Sequence, residues 1–224
     1  MRAGSMELSP ALDSPASKTP SWTGELRATL WLAAPLALAN MLQMLTYAVD
    51  VIFIARLGEA ELAASSLIMA IFGLIVWSLN SLTAAVAPLV AAELGANPNA
   101  VRPIRRAMRM AMWLAVISGA IGMGVAFITI PVMRWTGQPP EVITIAIPYL
   151  VAVVWSLIPM VMGNVLRTYV ATLGRPVFAT FITAMGIGVN ALGNYALIFG
   201  NFGMPRLELI GAGIATIITT TTTM

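Results

Sequence analysis

Long uncharged runs separated by short polar stretches set the pattern of this chain. Residues 62–92, 110–133, 142–166 and 177–205 are uncharged, and each run exceeds the roughly 20 residues that a helix needs to cross a bilayer's hydrocarbon core. A further run, 28–55, is interrupted only by Asp50, and a last one starts at Leu209. The pattern predicts spans at about 28–55, 62–92, 110–133, 142–166, 177–199 and 209–224, the last one incomplete.

The fold class follows from what a bilayer does to backbone polar groups. Hydrocarbon offers them no partner, so long apolar segments must be helices, whereas barrel strands would show short alternating patterns. The composition agrees, because 59% of the residues are hydrophobic and 9% are charged, against about 25% charged in soluble domains. We therefore predict an all-α, polytopic membrane helix bundle.

The two ends of the chain differ in character. Residues 1–26 are rich in Ser, Pro and Ala, which predicts a disordered cytoplasmic tail, and residues 27–224 form the predicted transmembrane bundle. The connections between spans are short and carry Gly, Pro and Asn turn signals. They leave no room for an extramembrane catalytic domain, so the function is expected among the helices.

The basic residues predict the orientation of the bundle. Nine lie on one side, in the tail (Arg2, Lys18, Arg27) and in the second-to-third and fourth-to-fifth connections (Arg102, Arg105, Arg106, Arg109, Arg167, Arg175), and three lie on the other (Arg56, Arg134, Arg206). By the positive-inside rule the N-terminus is cytoplasmic, in an inner (plasma) membrane. The net charge of +3 is therefore no sign of a nucleic-acid partner.

Asp50 is the most informative residue, because it is the one charged side chain well inside a predicted span. A carboxylate there costs on the order of 3 kcal/mol on insertion scales, so such residues usually face a cavity or a partner. The alternative is that Asp50 lies near the outer interface and pairs with Arg56. Asn40, Gln43 and Tyr47 share its helix stripe, at spacings of 3, 4 and 3, and this stripe is expected to face the bundle interior to line a wet cavity, hold an ion, or bond helices together.

The fifth predicted span carries a second stripe, of Thr183, Gly186, Asn190 and Asn194, at spacings of 3, 4 and 4. Asn190 and Asn194 could join Asp50 in an ion site, through amide oxygens or through hydrogen bonds to the carboxylate. The alternative is that the glycine simply allows close helix packing. Spacing alone does not rank the two.

No residue set points to soluble enzyme chemistry or to a cofactor. The chain has no cysteine and no histidine, no phosphate-binding glycine loop and no nucleophile with a base, so we expect neither an enzyme nor a certain metal site, although Na⁺ near Asp50 is a candidate. Prolines at 35, 88, 131, 148 and 159 fall in or at the ends of spans. Pro35, below Asp50, is a candidate hinge, with a static kink as the alternative.

Several stretches together resemble the N-terminal lobe of the MATE (multidrug and toxic compound extrusion) family from about Leu30 onward. They are LAAPLALANMLQMLTYAVDVIFIARLG, APLVAAELGA, NVLRTYVATLGRP and VNALGNYALIFG. The resemblance implies one six-helix lobe of a twelve-helix antiporter that exports drugs, organic cations or other xenobiotics in exchange for protons or sodium. It implies coupling roles for Asp50 and Asn190, with Asn194 at a position that is acidic in some members. Tyr149 and Asn164 resemble cavity residues, beside Gln43 and Tyr47, and Pro35 a point of bending.

The partner of this lobe and two alternative functions stay open. The sixth predicted span is truncated and the second lobe is missing, so the partner is either that lobe or a second copy of the chain, beside the bilayer and small organic substrates. A related exporter family would flip lipid-linked precursors, for which a strongly cationic cavity is expected. A membrane enzyme or a non-transporting assembly partner is the alternative from a different class.

Overall fold

The computed structural model describes residues 22–96 and 101–224, and throughout these ranges the regular structure is helical. The helices are α1 (Trp22–Ala55), α2 (Glu59–Thr83), α3 (Val86–Ala96), α4 (Val101–Ala126), α5 (Thr129–Trp135), α6 (Pro140–Val154), α7 (Leu157–Thr172), α8 (Pro176–Phe199) and α9 (Glu208–Thr222). The all-α prediction is confirmed. The expected tail lies outside the described residues up to residue 21, and α1 begins at Trp22, within the range assigned to that tail.

Proline explains why three predicted spans are each divided into two helices. The breaks lie at Ala84, Phe127 and Trp155, and each of these residues is followed four positions later by a proline, Pro88, Pro131 or Pro159. A proline cannot donate to the carbonyl four residues earlier, and its ring clashes with that carbonyl. At two breaks this carbonyl accepts a tighter bond instead, from Ala87 N to Ala84 O (3.1 Å) and from Ile130 N to Phe127 O (3.4 Å).

The spans agree with the hydropathy pattern once the breaks are included. Four segments, Trp22–Ala55, Glu59–Glu93, Arg102–Trp135 and Val177–Phe199, are long and apolar enough to cross a membrane, and α6 with α7 qualifies as one span bent by 44°. Helix α9 is shorter, with 15 residues. Pro35 and Pro148 lie inside α1 and α6, which continue through them.

Two hydrophobic cores stabilise the bundle, one above the other. The first contains Ile68 and Phe72 of α2, Met133 of α5, and Leu150 and Val153 of α6. The second contains buried residues of the other halves of the same spans, namely Val86 and Val90 of α3, Ala111 and Ala115 of α4, and Val161 and Val165 of α7. Each broken span thus contributes to both cores, and Ala126 of α4 and Leu157 of α7 belong to the first one as well.

Helix α8 lies between α1 and α9 and packs extensively on both. Small residues permit this closeness: a Cβ on Gly193 would lie 3.0 Å from Ala215 Cβ, and one on Gly186 would lie 2.9 Å from Thr223 Cγ2. The tightest approach is at Gly211 of α9, where a Cβ would lie 2.6 Å from the carbonyl oxygen of Leu197. Small residues at such seams bring helix backbones together, which gives dispersion contacts that lipid cannot match.

We expect Gly211→Ala to lower the free energy of unfolding by about 1–3 kcal/mol, because the added methyl group would collide with backbone rather than with a movable side chain. Gly188 of α8 is the matched control, since nothing lies within 4 Å of the position of its missing Cβ. Gly188→Ala should be neutral or slightly stabilising, because alanine favours helix. Denaturant unfolding of the purified chain in detergent measures both, and equal effects would contradict the close approach.

Candidate functional site

Asp50 meets the two asparagines of the fifth predicted span. The Asn194 side chain donates from Nδ2 to Asp50 Oδ1 at 2.6 Å and to Asn190 Oδ1 at 3.3 Å. Asp50 is half-buried, whereas Asn190 and Asn194 are 1% and 0% exposed. The structure therefore brings together the three residues that were predicted to form an ion site, and it does not pair Asp50 with Arg56.

The packing of α8 puts these amides where they are. Thr183, Gly186, Asn190 and Asn194 form one buried face, as their spacing predicted. The glycine admits Thr219 of α9 and Thr223, which follows that helix, and Thr183 donates its own hydroxyl to Ala179 O at 2.9 Å. The asparagines have no such local solution within the helix, so they turn to each other and to α1.

One acceptor in this cluster has no donor. Asn194 Oδ1 is buried without a hydrogen-bond partner, a condition that it shares, among the described residues, with Asn80 Oδ1 of α2. A buried carbonyl oxygen without a partner costs roughly 1–3 kcal/mol. This oxygen and the Asp50 carboxylate are the kind of ligands that suit a cation or a proton-bearing group. No group of three or more His, Cys, Asp or Glu side chains lies within metal-binding reach of one another in 22–96 and 101–224, so a cation here would depend on amide oxygens.

A small pocket opens beside the carboxylate, between α1, α2 and α6. Its cavity volume is about 20 Å³, room for roughly one water-sized group, and it is lined by Tyr47, Asp50, Val51, Ile54, Ser65, Ser66, Met69 and Tyr149. Tyr149 is 2% exposed and packs with its ring against Gly213 of α9. Tyr47 and Tyr149 were predicted here. Ser65, Ser66 and Met69 were not, although an adjacent polar pair within the second span was a usable signal.

The predicted polar stripe of α1 does not face the interior of this bundle along its whole length. Asn40, Gln43 and Tyr47 are exposed, Tyr47 by 54%, and of the stripe it is Asp50 that contacts α8. Helix α1 instead presents the neighbouring stripe to the bundle, whose half-buried members are Pro35, Ala39, Leu42, Thr46, Val49 and Phe53. Helix α1 lies at the edge of the bundle and packs through this mainly apolar stripe, so the polar stripe lies beside the packing surface, with Tyr47 at the pocket and Gln43 in contact with Arg167.

Arg167 also differs from its predicted place. We expected it in a connection at 167–176, but α7 continues to Thr172, so Arg167 lies within the helix. Its Nη1 donates to Gln43 Oε1 of α1 at 3.4 Å. Helix α7 therefore continues past Arg167 by more than one turn, and this arginine lies on the helix rather than in a connection. Asn164, one turn earlier on α7, is half-buried and is not among the residues that line the pocket.

The candidate hinge Pro35 lies in a part of α1 that remains helical on both sides. Its carbonyl oxygen accepts a hydrogen bond from Thr180 Oγ1 of α8 at 2.8 Å. Helix α1 is thus attached to α8 by side-chain hydrogen bonds at two levels, at Pro35 and at Asp50.

We expect Asn194→Ala to lower the free energy of unfolding by about 1.5–3 kcal/mol, the range for a hydrogen bond to a charged group. Most of this loss should vanish in an Asp50→Ala background, because the acceptor is then gone. A double-mutant cycle by denaturant unfolding in detergent measures the coupling. The control pair is Asn80→Ala with Asp50→Ala, which should add to within about 0.5 kcal/mol. Equal additivity for both pairs would refute the contact.

Comparisons with known proteins agree with this arrangement. The family model described as MatE matches residues 35–196. The probable multidrug resistance protein NorM of Brucella suis is 33% identical over 205 residues, which are 92% of this chain and 44% of that protein. The protein of the same description from Synechococcus is 37% identical over 191 residues, which are 85% of this chain and 41% of that protein.

A solved structure shows the same fold. The crystal structure of the Vibrio cholerae MATE transporter VcmN in the bent form superposes with a TM-score of 0.77 at 22% identity, covering 88% of this chain and 44% of that one. The chain therefore spans somewhat less than half the length of the relatives it matches. Since the family model covers most of its length, the chain belongs to the MatE family.

Proposed function

We propose that this chain forms an ion-coupled half of an antiporter that exports drugs, organic cations or other xenobiotics. The observation that carries the proposal is the hydrogen bond from Asn194 Nδ2 to Asp50 Oδ1, beside an open pocket. The names of the curated relatives, probable multidrug resistance proteins, support the substrate class. Because the chain spans about 44% of such a relative, the remaining half of the cavity would come from a second lobe or a second copy.

The coupling step follows from competition for one carboxylate oxygen. Asp50 Oδ1 accepts the Asn194 amide at 2.6 Å. A proton or a Na⁺ that binds the carboxylate takes up part of this acceptor capacity and removes the negative charge that strengthens the bond. The attachment of α1 to α8 then weakens at the level of Asp50, while the Thr180 bond to Pro35 O still holds the other end. A ligand shifts a conformational balance only through such a difference between two states.

The side chains that line the pocket can contact varied organic cations. Tyr47 and Tyr149 offer aromatic rings, and Met69 offers a flexible, polarisable side chain that adapts to different shapes. Gln43 lies two turns from Asp50 on the exposed stripe of α1 and provides a polar rim, to which we assign Asn164 of α7 as well. A bound cation and the coupling ion would compete for Asp50, which is how exchange arises.

One observation favours a second candidate, the flipping of lipid-linked anionic precursors. Arg167 lies inside α7 and donates to Gln43, so the polar stripe of α1 faces a cationic side chain. The sequence pattern had suggested that no such charge lies among the helices. One arginine opposite one aspartate does not make a strongly cationic cavity, however. Multidrug export therefore remains the preferred function.

The membrane and the orientation belong to the same proposal. We place the chain in the cell inner membrane as a multi-pass protein with a cytoplasmic N-terminus, because nine basic residues were assigned to one side and three to the other. The placement of Arg167 within α7 reduces the first group to eight, which still exceeds three.

We expect Asp50→Asn to abolish export while leaving the protein in the membrane, because asparagine keeps the size of the side chain but cannot gain or lose the coupling charge. The assay is accumulation of a fluorescent cationic dye in pump-deficient bacteria. The cells express either this chain or a chimera in which the chain replaces the matched region of the Brucella suis relative. The Asp50→Asn chimera should accumulate dye as the empty control does.

Glu59→Gln is the matched control, since it removes an exposed carboxylate at the start of α2. This variant should export as well as the unaltered chimera. Export that survives Asp50→Asn would exclude the proposed coupling, and movement of labelled lipid precursors without dye export would favour the flippase.

The coupling ion can be identified with the same chimera in everted membrane vesicles. If protons are exchanged, adding substrate should dissipate an imposed pH gradient in sodium-free buffer. If sodium is exchanged, the substrate should dissipate a ²²Na⁺ gradient instead. Either flux should disappear in Asp50→Asn, and a substrate flux that depends on neither gradient would rule out antiport.

A further inference from the structure

Four arginines form one exposed face at the start of α4. Arg102, Arg105, Arg106 and Arg109 are all exposed. At 100° per residue their positions fall within an arc of about 100°. Ile104, Ala111 and Ala115, which belong to the second core, lie on the opposite side of the helix.

The arginine face continues into the part of α4 that faces outward. Trp113, one turn after Arg109, is 69% exposed and lies within the same arc. Ala120 and Gly124, further along this arc, are also exposed. Because α4 is part of a candidate membrane span, we expect lipid tails to contact this outward stripe. The arginines are therefore aligned with lipid rather than with the pocket at Asp50.

The arginines of this face form no ion pair within 4.0 Å in the described chain. The ion pair seen in 22–96 and 101–224 joins Arg206 to Glu208, at 3.5 Å, at another part of the molecule. The first turn of α4 also lacks an acidic residue. Cations at a helix N-terminus oppose the helix dipole, whose positive end lies there. Arg102 lies in this first turn, and all four exposed arginines are available to anions from outside the described chain.

We infer that this arginine face binds the headgroups of anionic phospholipids. Guanidinium groups bind phosphate oxygens through two parallel hydrogen bonds, and a tryptophan one turn deeper is the residue type that anchors at the headgroup level. The positive-inside rule explains the sign of the charges but not their confinement to the one face of α4 that lies above lipid. Phosphatidylglycerol and cardiolipin have the required charge.

The test is native mass spectrometry of the purified chain in detergent, titrated with phosphatidylglycerol or phosphatidylcholine. Wild-type protein should bind phosphatidylglycerol more tightly. The variant Arg105→Gln/Arg109→Gln should weaken this binding by roughly fivefold for each arginine removed, as expected for basic residues at an anionic surface, and leave phosphatidylcholine binding unchanged. Arg105→Lys/Arg109→Lys should retain most of the preference.

The matched control is Arg56→Gln/Arg134→Gln, which removes two exposed arginines from elsewhere on the chain. It should preserve the preference for phosphatidylglycerol. An equal loss in this control would reduce the effect to net charge and overturn the inference, as would equal binding of the two lipids by the wild type. Displacement of the lipid by an equal concentration of soluble glycerol phosphate would also overturn it, because a free-anion site would then suffice.

Discussion

The close approach of α8 to α1 and α9 is the constraint on which the site depends. Gly186, Gly193 and Gly211 let α8 and α9 come close together, and Asn190 and Asn194 on this part of α8 are 1% and 0% exposed. Two asparagines in the seam must then find partners within the protein, since unpaired amides are costly there. They find each other and Asp50. The polar cluster is thus a consequence of apolar packing, and its one unpaired oxygen is where the packing leaves capacity for something else.

Charge and spacing were enough to predict the centre of the site. Asp50 was conspicuous because a carboxylate is expensive inside a span, and Asn190 and Asn194 followed from their shared face on the fifth span. Helices themselves were predictable from the length of the uncharged runs. The divisions of three spans lie four residues before Pro88, Pro131 and Pro159, but the sequence alone did not separate these prolines from Pro35 and Pro148, through which the helices continue.

The orientation of α1 and the end of α7 were not readable in this way. In a membrane protein the lipid-facing and buried surfaces are about equally apolar, so a hydrophobic pattern does not tell which stripe of α1 packs against α8. Arg167 seemed to end the fourth span because charge usually marks the interface, but an amide on another helix accepts its hydrogen bond and the helix continues. Such a contact joins residues 124 positions apart, and no local pattern contains it.

The proline breaks lie between helices that contribute to two different hydrophobic cores. Helices α2, α5 and α6 contribute to one core and α3, α4 and α7 to the other, and each proline lies just past the joint within its span. Because Ala126 of α4 and Leu157 of α7 also belong to the first core, a tilt at the three backbone joints would have to move them within that core. Helices α1 and α8 have no such break, so they would have to bend or slide during such a tilt. The cluster of Asp50, Asn190 and Asn194 joins these two unbroken helices, so it would hold them together during such a movement.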